Sequence, residues 1–145
     1  MLAGEAKALH TTKRSSGIDV TDPELAQTWA SVRKDSDPQT DWCAFTYAEG
    51  SNQVIVLLGS GSGGVAELCS SLRESLVAFC AVRVGGDGRS PRFHRILFVG
   101  DEVGGMKRGR AALGKNAVFA VFEGASAGDH EFGSVSELSA STAFG

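Results

Sequence analysis

The segment from Leu76 to Val84, LVAFCAVRV, constrains the fold more than any other because it carries only one charge in nine residues. The segment from Val54 to Leu58, VIVLL, is apolar throughout. Neither run alternates between apolar and polar residues, and continuous apolar strands are typical of sheets that are covered on both faces. Both runs are much shorter than the roughly 20 apolar residues of a membrane-spanning helix. The chain is therefore expected to build a sheet between two layers of helices.

Patterns on either side of these runs predict the other elements. Asp22 before Pro23 is typical of a helix start, since Pro fits the first helical turn. The order α, β, β, α, β, β, α, β predicts an α+β fold, an α/β sandwich with a mixed central sheet of about five strands flanked by helices. The additional elements are a helix over 23–33, a strand over 42–47, a helix over 65–72, a strand over 93–99, a helix over about 103–123 and a strand over 130–132.

The folded domain is predicted to span residues 18–133. Residues 1–17 lack apolar periodicity, and we predict a flexible tail whose composition is also that of an added leader. Residues 134–145 are rich in Ser and Ala, so we expect little structure there. Within the long helix, the predicted buried stripe consists of Val103, Met106, Leu113, Ala117 and Val121.

Positive charge is concentrated in one part of the chain. Residues 89–115 contain seven bases and two acids, a formal charge of +5, whereas the other residues sum to −8 and the whole chain to −3. A positive face on an acidic protein favours a localised, anionic partner. No pattern indicates nucleic acid or a membrane as that partner, and self-association stays open.

Residues typical of catalysis or metal binding are sparse. The histidines are far apart in the sequence, and the chain has no HExxH or GxSxG motif. The sequence therefore predicts no enzyme, no metal and no cofactor. The cysteines form no CxxC pair, which favours packing roles and a reduced, cytosolic setting. They are Cys43, Cys69 and Cys80.

A glycine-rich segment leaves one alternative open. Gly59 to Gly64, GSGSGG, satisfies the GxGxxG pattern between a buried strand and a helix, where the pyrophosphate of a dinucleotide could approach the helix N-terminus. The acid available for the ribose, Asp87, comes later than the usual spacing of about 20 residues. A plain connecting loop is therefore favoured, with a small dinucleotide-binding protein as the alternative.

Three segments follow one another in a characteristic order. The first helix ends in VRKD at 32–35, and the strand WCAFTY at 42–47 is followed by Gly50 and Ser51. In the segment RFHRILFVGDEVGGMKRGR at 92–110, a basic residue precedes Phe93. The tetrapeptide GDEV follows at 100–103, and further bases follow at 107–110. In order and spacing these segments resemble the coactosin-type proteins of the actin-depolymerising-factor homology (ADF/cofilin-like) family, over residues 18–132.

The resemblance implies an ADF-homology fold and a protein that binds the side of actin filaments and modulates their dynamics without catalysis. It implies filamentous actin as partner more than monomeric actin, and a location at the cytoskeleton. An ADF-homology adaptor that binds a non-actin protein is a further alternative. The matching positions imply actin contacts at Arg89, Arg92, Lys107, Arg108 and Arg110.

A second contact is implied at the start of the domain. Ser16, Gly17 and Ile18 resemble the N-terminal segment that depolymerising factors use on monomeric actin. In this chain a tail precedes that segment, and we expect the tail to hinder its insertion. Severing of filaments is therefore not expected.

Overall fold

The computed structural model describes residues 17–34, 39–85 and 90–144. Its strands are β1 (Trp42–Tyr47), β2 (Ile55–Gly61), β3 (Val77–Val84), β4 (Arg92–Val99) and β5 (Gly128–Phe132). They form one sheet in the order β2-β1-β3-β4-β5. All neighbours are antiparallel except β4 and β5, which are parallel. The central position of β3 explains why its sequence is the longest apolar run.

Helices cover both faces of this sheet, as the sequence predicts. The first begins where expected, because the Asp22 carboxylate accepts a hydrogen bond from the Glu24 N–H at 2.9 Å and so caps the helix. The predicted mixed α+β fold is confirmed. No helix in the described ranges is long and apolar enough to cross a membrane. The helices are α1 (Pro23–Arg33), α2 (Gly64–Ser70), α3 (Gly105–Phe119) and α4 (Val135–Ala140).

Alternation along β3 divides the interior into two layers. Phe79 lies in the layer under α1 and α3, together with Trp29 and Phe119. The next residue, Cys80, points to the opposite face and lies in the layer under α2 and α4, together with Leu68. β3 thus contributes apolar side chains to both layers, which is why its sequence has no polar face.

The expectation of little structure after residue 133 is wrong for α4. The Ser134 hydroxyl accepts a hydrogen bond from the Glu137 N–H at 3.1 Å, and the Glu137 carboxylate accepts one from the Gly133 N–H at 2.9 Å. This reciprocal capping starts a helix in a segment of weak amphipathicity. Leu138 is fully buried and Phe144 packs in the same layer, so the folded unit extends past residue 133.

The predicted buried stripe of α3 is wrong at Met106 and Leu113, whereas Val103 is buried and Ala117 and Val121 pack, partly buried, against the core. Met106 is 74% exposed and Leu113 is 85% exposed. The helix turns small residues inward instead, because it packs so closely on the segment before α1 that a Cβ added to Gly114 would come within 3.0 Å of the Ile18 side chain. Its buried residues are Ala111, Gly114, Val118 and Phe119.

Candidate functional site

The surface of α3 that faces away from the sheet is the strongest candidate for a binding site. We call Met106, Lys107, Arg110 and Leu113 the outer face; their spacing places them along one side of the first two turns. All four are exposed, and within the described ranges neither Lys107 nor Arg110 forms an ion pair. Large exposed apolar side chains beside unpaired charges are typical of a surface that binds another protein.

A cleft runs between the outer face and the turn that joins β1 to β2. It has a volume of about 280 Å³ and is bounded on one side by Lys107 and Arg110 and on the other by the turn residues 50–52. Tyr47, the last residue of β1, also lines it. The cleft therefore offers cationic side chains beside a phenol.

Tyr47 is 8% exposed, and its ring packs edge-on against Phe79 at a centroid distance of 5.9 Å. Its hydroxyl is buried and has no hydrogen-bond partner within the described residues. Such a group costs about 1–3 kcal/mol of folding free energy. Burial raises the pKa of Tyr47 above its ordinary value of 10.0, while the nearby Arg110 guanidinium partly lowers it. At neutral pH Tyr47 is thus a protonated donor.

Two other bases of the positive segment are paired within the fold. Arg95 makes two hydrogen bonds to the Asp129 carboxylate, at 2.7 and 2.8 Å, and Lys115 lies 3.6 Å from the Glu131 carboxylate. The parallel pairing of β4 with β5 brings these acids alongside. The charge of +5 counted in the sequence therefore overstates the positive charge that is free for a partner.

Arg108, predicted as an actin contact, turns away from the outer face. Its guanidinium donates hydrogen bonds to the carbonyl oxygens of Gly100 and Val103, at 3.1 and 3.3 Å. From the other side, the Glu74 carbonyl accepts a hydrogen bond from the Glu102 N–H at 2.9 Å. These contacts fix the loop before α3, so Arg108 acts in positioning the outer face.

Arg92 does not lie near the outer face. It is exposed at the first residue of β4, where it pairs with Val84, whereas α3 begins beyond the other end of that strand. Seven steps along a strand span roughly 23 Å. The structure therefore separates Arg92 from Lys107 and Arg110, and the predicted single basic patch is two regions.

The N-terminal segment is divided between surface and interior. Gly17 is exposed and, with Arg110 and Leu113, lines a cleft of about 300 Å³ next to the outer face. Ile18 is 4% exposed and packs in the core, so its side chain is withdrawn from the surface. The remaining predicted positions, Ser16 and Arg89, and the acid Asp87 lie outside the described residues.

The glycine-rich segment is filled by carboxylates of the chain itself. The Glu67 carboxylate accepts hydrogen bonds from the Gly63 N–H at 2.9 Å and the Trp42 indole N–H at 2.8 Å. The Gly64 N–H donates to the Asp41 carboxylate at 3.0 Å. The hydrogen bonds from Trp42 and Gly63 lower the pKa of Glu67, so a carboxylate already occupies the place where a pyrophosphate would bind. This arrangement favours the plain connecting loop.

The cysteines are placed for packing. Burial raises the pKa of Cys43 to about 12, and burial also raises the pKa of Cys80 well above its ordinary value. Both thiols are therefore protonated and poorly nucleophilic at neutral pH. Within the part of the chain that the structure describes, no group of three or more His, Cys, Asp or Glu side chains could hold a metal ion.

A sheet covered on both faces by helices, with an exposed apolar and basic face on one helix, is typical of a domain that binds a protein partner. Residues 17–143 match the family described as cofilin/tropomyosin-type actin-binding protein. The chain belongs to this family, whose members bind actin and are not enzymes, and the resemblance seen in the sequence is confirmed.

Coactosins are among the relatives of this chain. The chain is 41% identical to coactosin from Dictyostelium discoideum over 105 residues, which are 69% of each protein. The structure is similar to that of coactosin from Entamoeba histolytica, with a TM-score of 0.72, 23% identity, and coverage of 85% of this chain and 88% of that one. It is also similar to mouse coactosin, described as an actin filament binding protein, with a TM-score of 0.63, 22% identity and 79% coverage of both chains.

Proposed function

We propose that this protein binds the side of actin filaments through the outer face of α3 and modulates filament dynamics without catalysis. Membership of the actin-binding family supports actin as the partner, and the description of mouse coactosin as an actin filament binding protein supports the filament. One observation carries the choice of surface. Met106 and Leu113 are more than two-thirds exposed beside Lys107 and Arg110, which lack acidic partners among the described residues.

The two kinds of side chain on the outer face have different roles in this proposal. Actin is acidic, so Lys107 and Arg110 attract and orient it from a distance, an effect that added salt weakens. Met106 and Leu113 supply contact energy, since burial of each exposed side chain is worth about 1.5–3 kcal/mol before the costs of association. The charges therefore govern the salt dependence of binding, and the apolar side chains govern its residual strength at high salt.

Arg92 forms a second, separate contact in the proposal. Because β4 spans roughly 23 Å between Arg92 and the strand end that precedes α3, Arg92 lies too far away to share one actin side chain with Lys107. We expect it to reach a different part of the filament surface. Substitution of Arg92 should therefore weaken binding without changing how binding responds to substitutions in the outer face.

Preference for filaments over monomers follows from the N-terminal segment. Because the Ile18 side chain is packed against α3, it is not free to insert into a monomer. Gly17 remains at the surface beside Arg110 and Leu113, and we propose that it borders the filament contact. Binding to monomeric actin should then be weaker than binding to filaments.

Co-sedimentation with actin filaments over a salt series tests the proposal. Wild-type protein should pellet with filaments, less so as salt rises, and Lys107→Ala with Arg110→Ala should weaken binding at least about tenfold. Lys115→Ala is the matched control, because that lysine lies on the same helix but faces Glu131, and it should pellet like wild type. Wild-type protein that stays in the supernatant at low salt would refute filament binding and favour an adaptor for another protein.

A further inference from the structure

The first turn of α3, which carries Met106 and Lys107 of the outer face, has little helical stability of its own. Its N-cap residue is a glycine that makes no side-chain capping hydrogen bond, and Gly105 and Gly109 lie in the first two turns. Glycine is the least helix-favouring residue apart from proline. The position of the first turn therefore depends on the loop 100–104 that precedes it.

This loop packs backbone against backbone on the turn that precedes β3. A Cβ added to Gly100 would overlap the Glu74 carbonyl oxygen, so a glycine is required at this close approach. The Gly100 N–H donates a hydrogen bond to the Leu76 carbonyl at 3.0 Å, and the Glu102 N–H donates one to the Glu74 carbonyl at 2.9 Å. The main chain around Glu74 thus fixes where the loop lies.

The Glu74 carboxylate joins the same loop to a second element. Its Oε1 accepts a hydrogen bond from the Asp101 N–H at 3.3 Å, and its Oε2 accepts one from the Val135 N–H at 2.9 Å. Val135 is the first residue of α4, so its N–H has no acceptor within that helix. One side chain therefore connects the loop before α3 with the start of α4.

The helix α4 is a firm support for this connection because the segment packs in the core. Leu138 is fully buried, and Phe144 packs edge-on against the rings of His94 and His130 at centroid distances of 5.2 and 5.0 Å. Hydrogen bonds from N–H groups to an ionised carboxylate are stronger than those between neutral groups. The loop before α3 thus gains from Glu74 a support that its glycines do not give.

We infer that Glu74 is a positioning residue for filament binding, because its carboxylate ties the start of α3 to α4 and so holds the first turn of the outer face in place. This inference rests on the proposed binding of actin filaments through the outer face. Arg108 anchors the loop from the side of α3, and Glu74 anchors it from the opposite side. Removal of Glu74 should weaken binding, although the loss of a negative charge would by itself favour an acidic partner.

The binding test compares Glu74→Ala with Glu67→Ala in co-sedimentation with filaments. Both variants remove one negative charge and a carboxylate that accepts a backbone N–H, but Glu67 bonds to Gly63 in the glycine-rich segment. Glu74→Ala should weaken binding about three- to tenfold through loss of its hydrogen bonds, whereas Glu67→Ala should pellet like wild type. Glu74→Gln keeps one acceptor oxygen and should bind with an affinity between those of Glu74→Ala and wild type.

Hydrogen exchange of the free proteins separates positioning from a general loss of stability. In Glu74→Ala the backbone amides of residues 101–107 and 135–138 should exchange several-fold faster than in wild type, with a much smaller change in β1. Local opening affects only the amides near the lost contact, whereas reduced global stability affects all elements. An equal increase in every element would overturn the inference.

The remaining outcomes are distinct. Equal pelleting of Glu74→Ala and wild type, or unchanged exchange at residues 101–107, would refute the positioning role while filament binding stands. Wild-type protein that does not pellet would refute the proposed function and this inference with it. If Glu74→Ala does not fold, Glu74→Gln decides the question by the same two measurements.

Discussion

The two faces of α3 differ in the size of their side chains. Toward the sheet the helix places Ala111 and Gly114 and only then larger residues, whereas toward solvent it places Met106 and Leu113. Small inward residues let the helix pack so closely that a Cβ added to Gly114 would lie 3.0 Å from the Ile18 side chain. Folding explains the inner face completely and gives no reason for large apolar residues on the outer face. In this helix the large apolar side chains are the exposed ones and the small side chains are the buried ones. This reversal is what we expect where a partner covers the exposed face.

Charge follows the same division. Arg95 and Lys115 have acidic partners from β5, while Lys107 and Arg110 have none among the described residues. The paired bases therefore stabilise the fold, and the unpaired bases are available to bind a partner. Substitutions should therefore fall into two groups, those that change stability and those that change binding.

The largest effect on stability is expected from the inner face. Val118 is fully buried, so Val118→Ala should lower the free energy of unfolding by about 2–3 kcal/mol through lost burial and a cavity. Leu113→Ala removes more atoms from an 85% exposed position and should change it by less than about 0.5 kcal/mol. Urea denaturation measures both variants.

The same pair sharpens the comparison in a binding assay. Leu113→Ala should weaken co-sedimentation with filaments about tenfold, because it removes apolar contact area from the interface, and Val118→Ala should leave it unchanged while the protein is folded. Equal losses of binding in the two variants would contradict the claim that only the outer face contacts the filament.

An intermediate effect is expected from the paired bases. Arg95→Ala removes two hydrogen bonds to Asp129 and the contact of the guanidinium with the Phe119 ring at 5.0 Å. Because both charged groups are partly exposed, we expect a loss of about 1–2 kcal/mol in unfolding free energy with no loss of filament binding. Lys107→Ala should show the reverse in the same two assays.

The smallest effect is expected from pH. The Arg95 guanidinium holds the pKa of Asp129 below its ordinary value of 3.8. A lowered carboxyl pKa in the folded state contributes stability above pH 3.8 that is lost as pH falls through the lowered pKa. Stability measured between pH 5 and pH 2 should therefore decline less in Asp129→Asn than in wild type. An identical decline would show that this pair does not contribute.

The sequence predicts the layers of this fold better than the face of its longest helix. Continuous apolar runs identify β3, which is central and buried on both faces. They also identify β2, although it is an edge strand in which only Ile55 is fully buried. The same reading of apolar periodicity fails for α3, where Met106 and Leu113 recur at helical spacing but face solvent. Periodicity cannot tell a core stripe from a binding stripe. In α4 the signal was present as Ser134 and Glu137 in a capping pattern, although the helix has little apolar surface.

The candidate site was partly predictable for a different reason. Clustered bases indicated a positive surface, but only the fold shows that Arg95 meets Asp129 and that Arg108 binds backbone carbonyls. Both contacts join residues through tertiary structure that local sequence does not encode. Tyr47 carried no signal at all, since its alternation in β1 indicates burial and not an unpaired hydroxyl.

Oxidative footprinting of the wild-type protein with and without saturating actin filaments tests the central claim most directly. Met106 and Leu113 can be followed in peptides of this chain by mass spectrometry, with the partly exposed Cys69 of α2, which packs toward the opposite layer, as the internal control. We predict that filaments slow the oxidation of Met106 and Leu113 several-fold and leave that of Cys69 unchanged. Unchanged oxidation of Met106 and Leu113 in filament-bound protein would contradict the assignment of the outer face as the actin-binding surface.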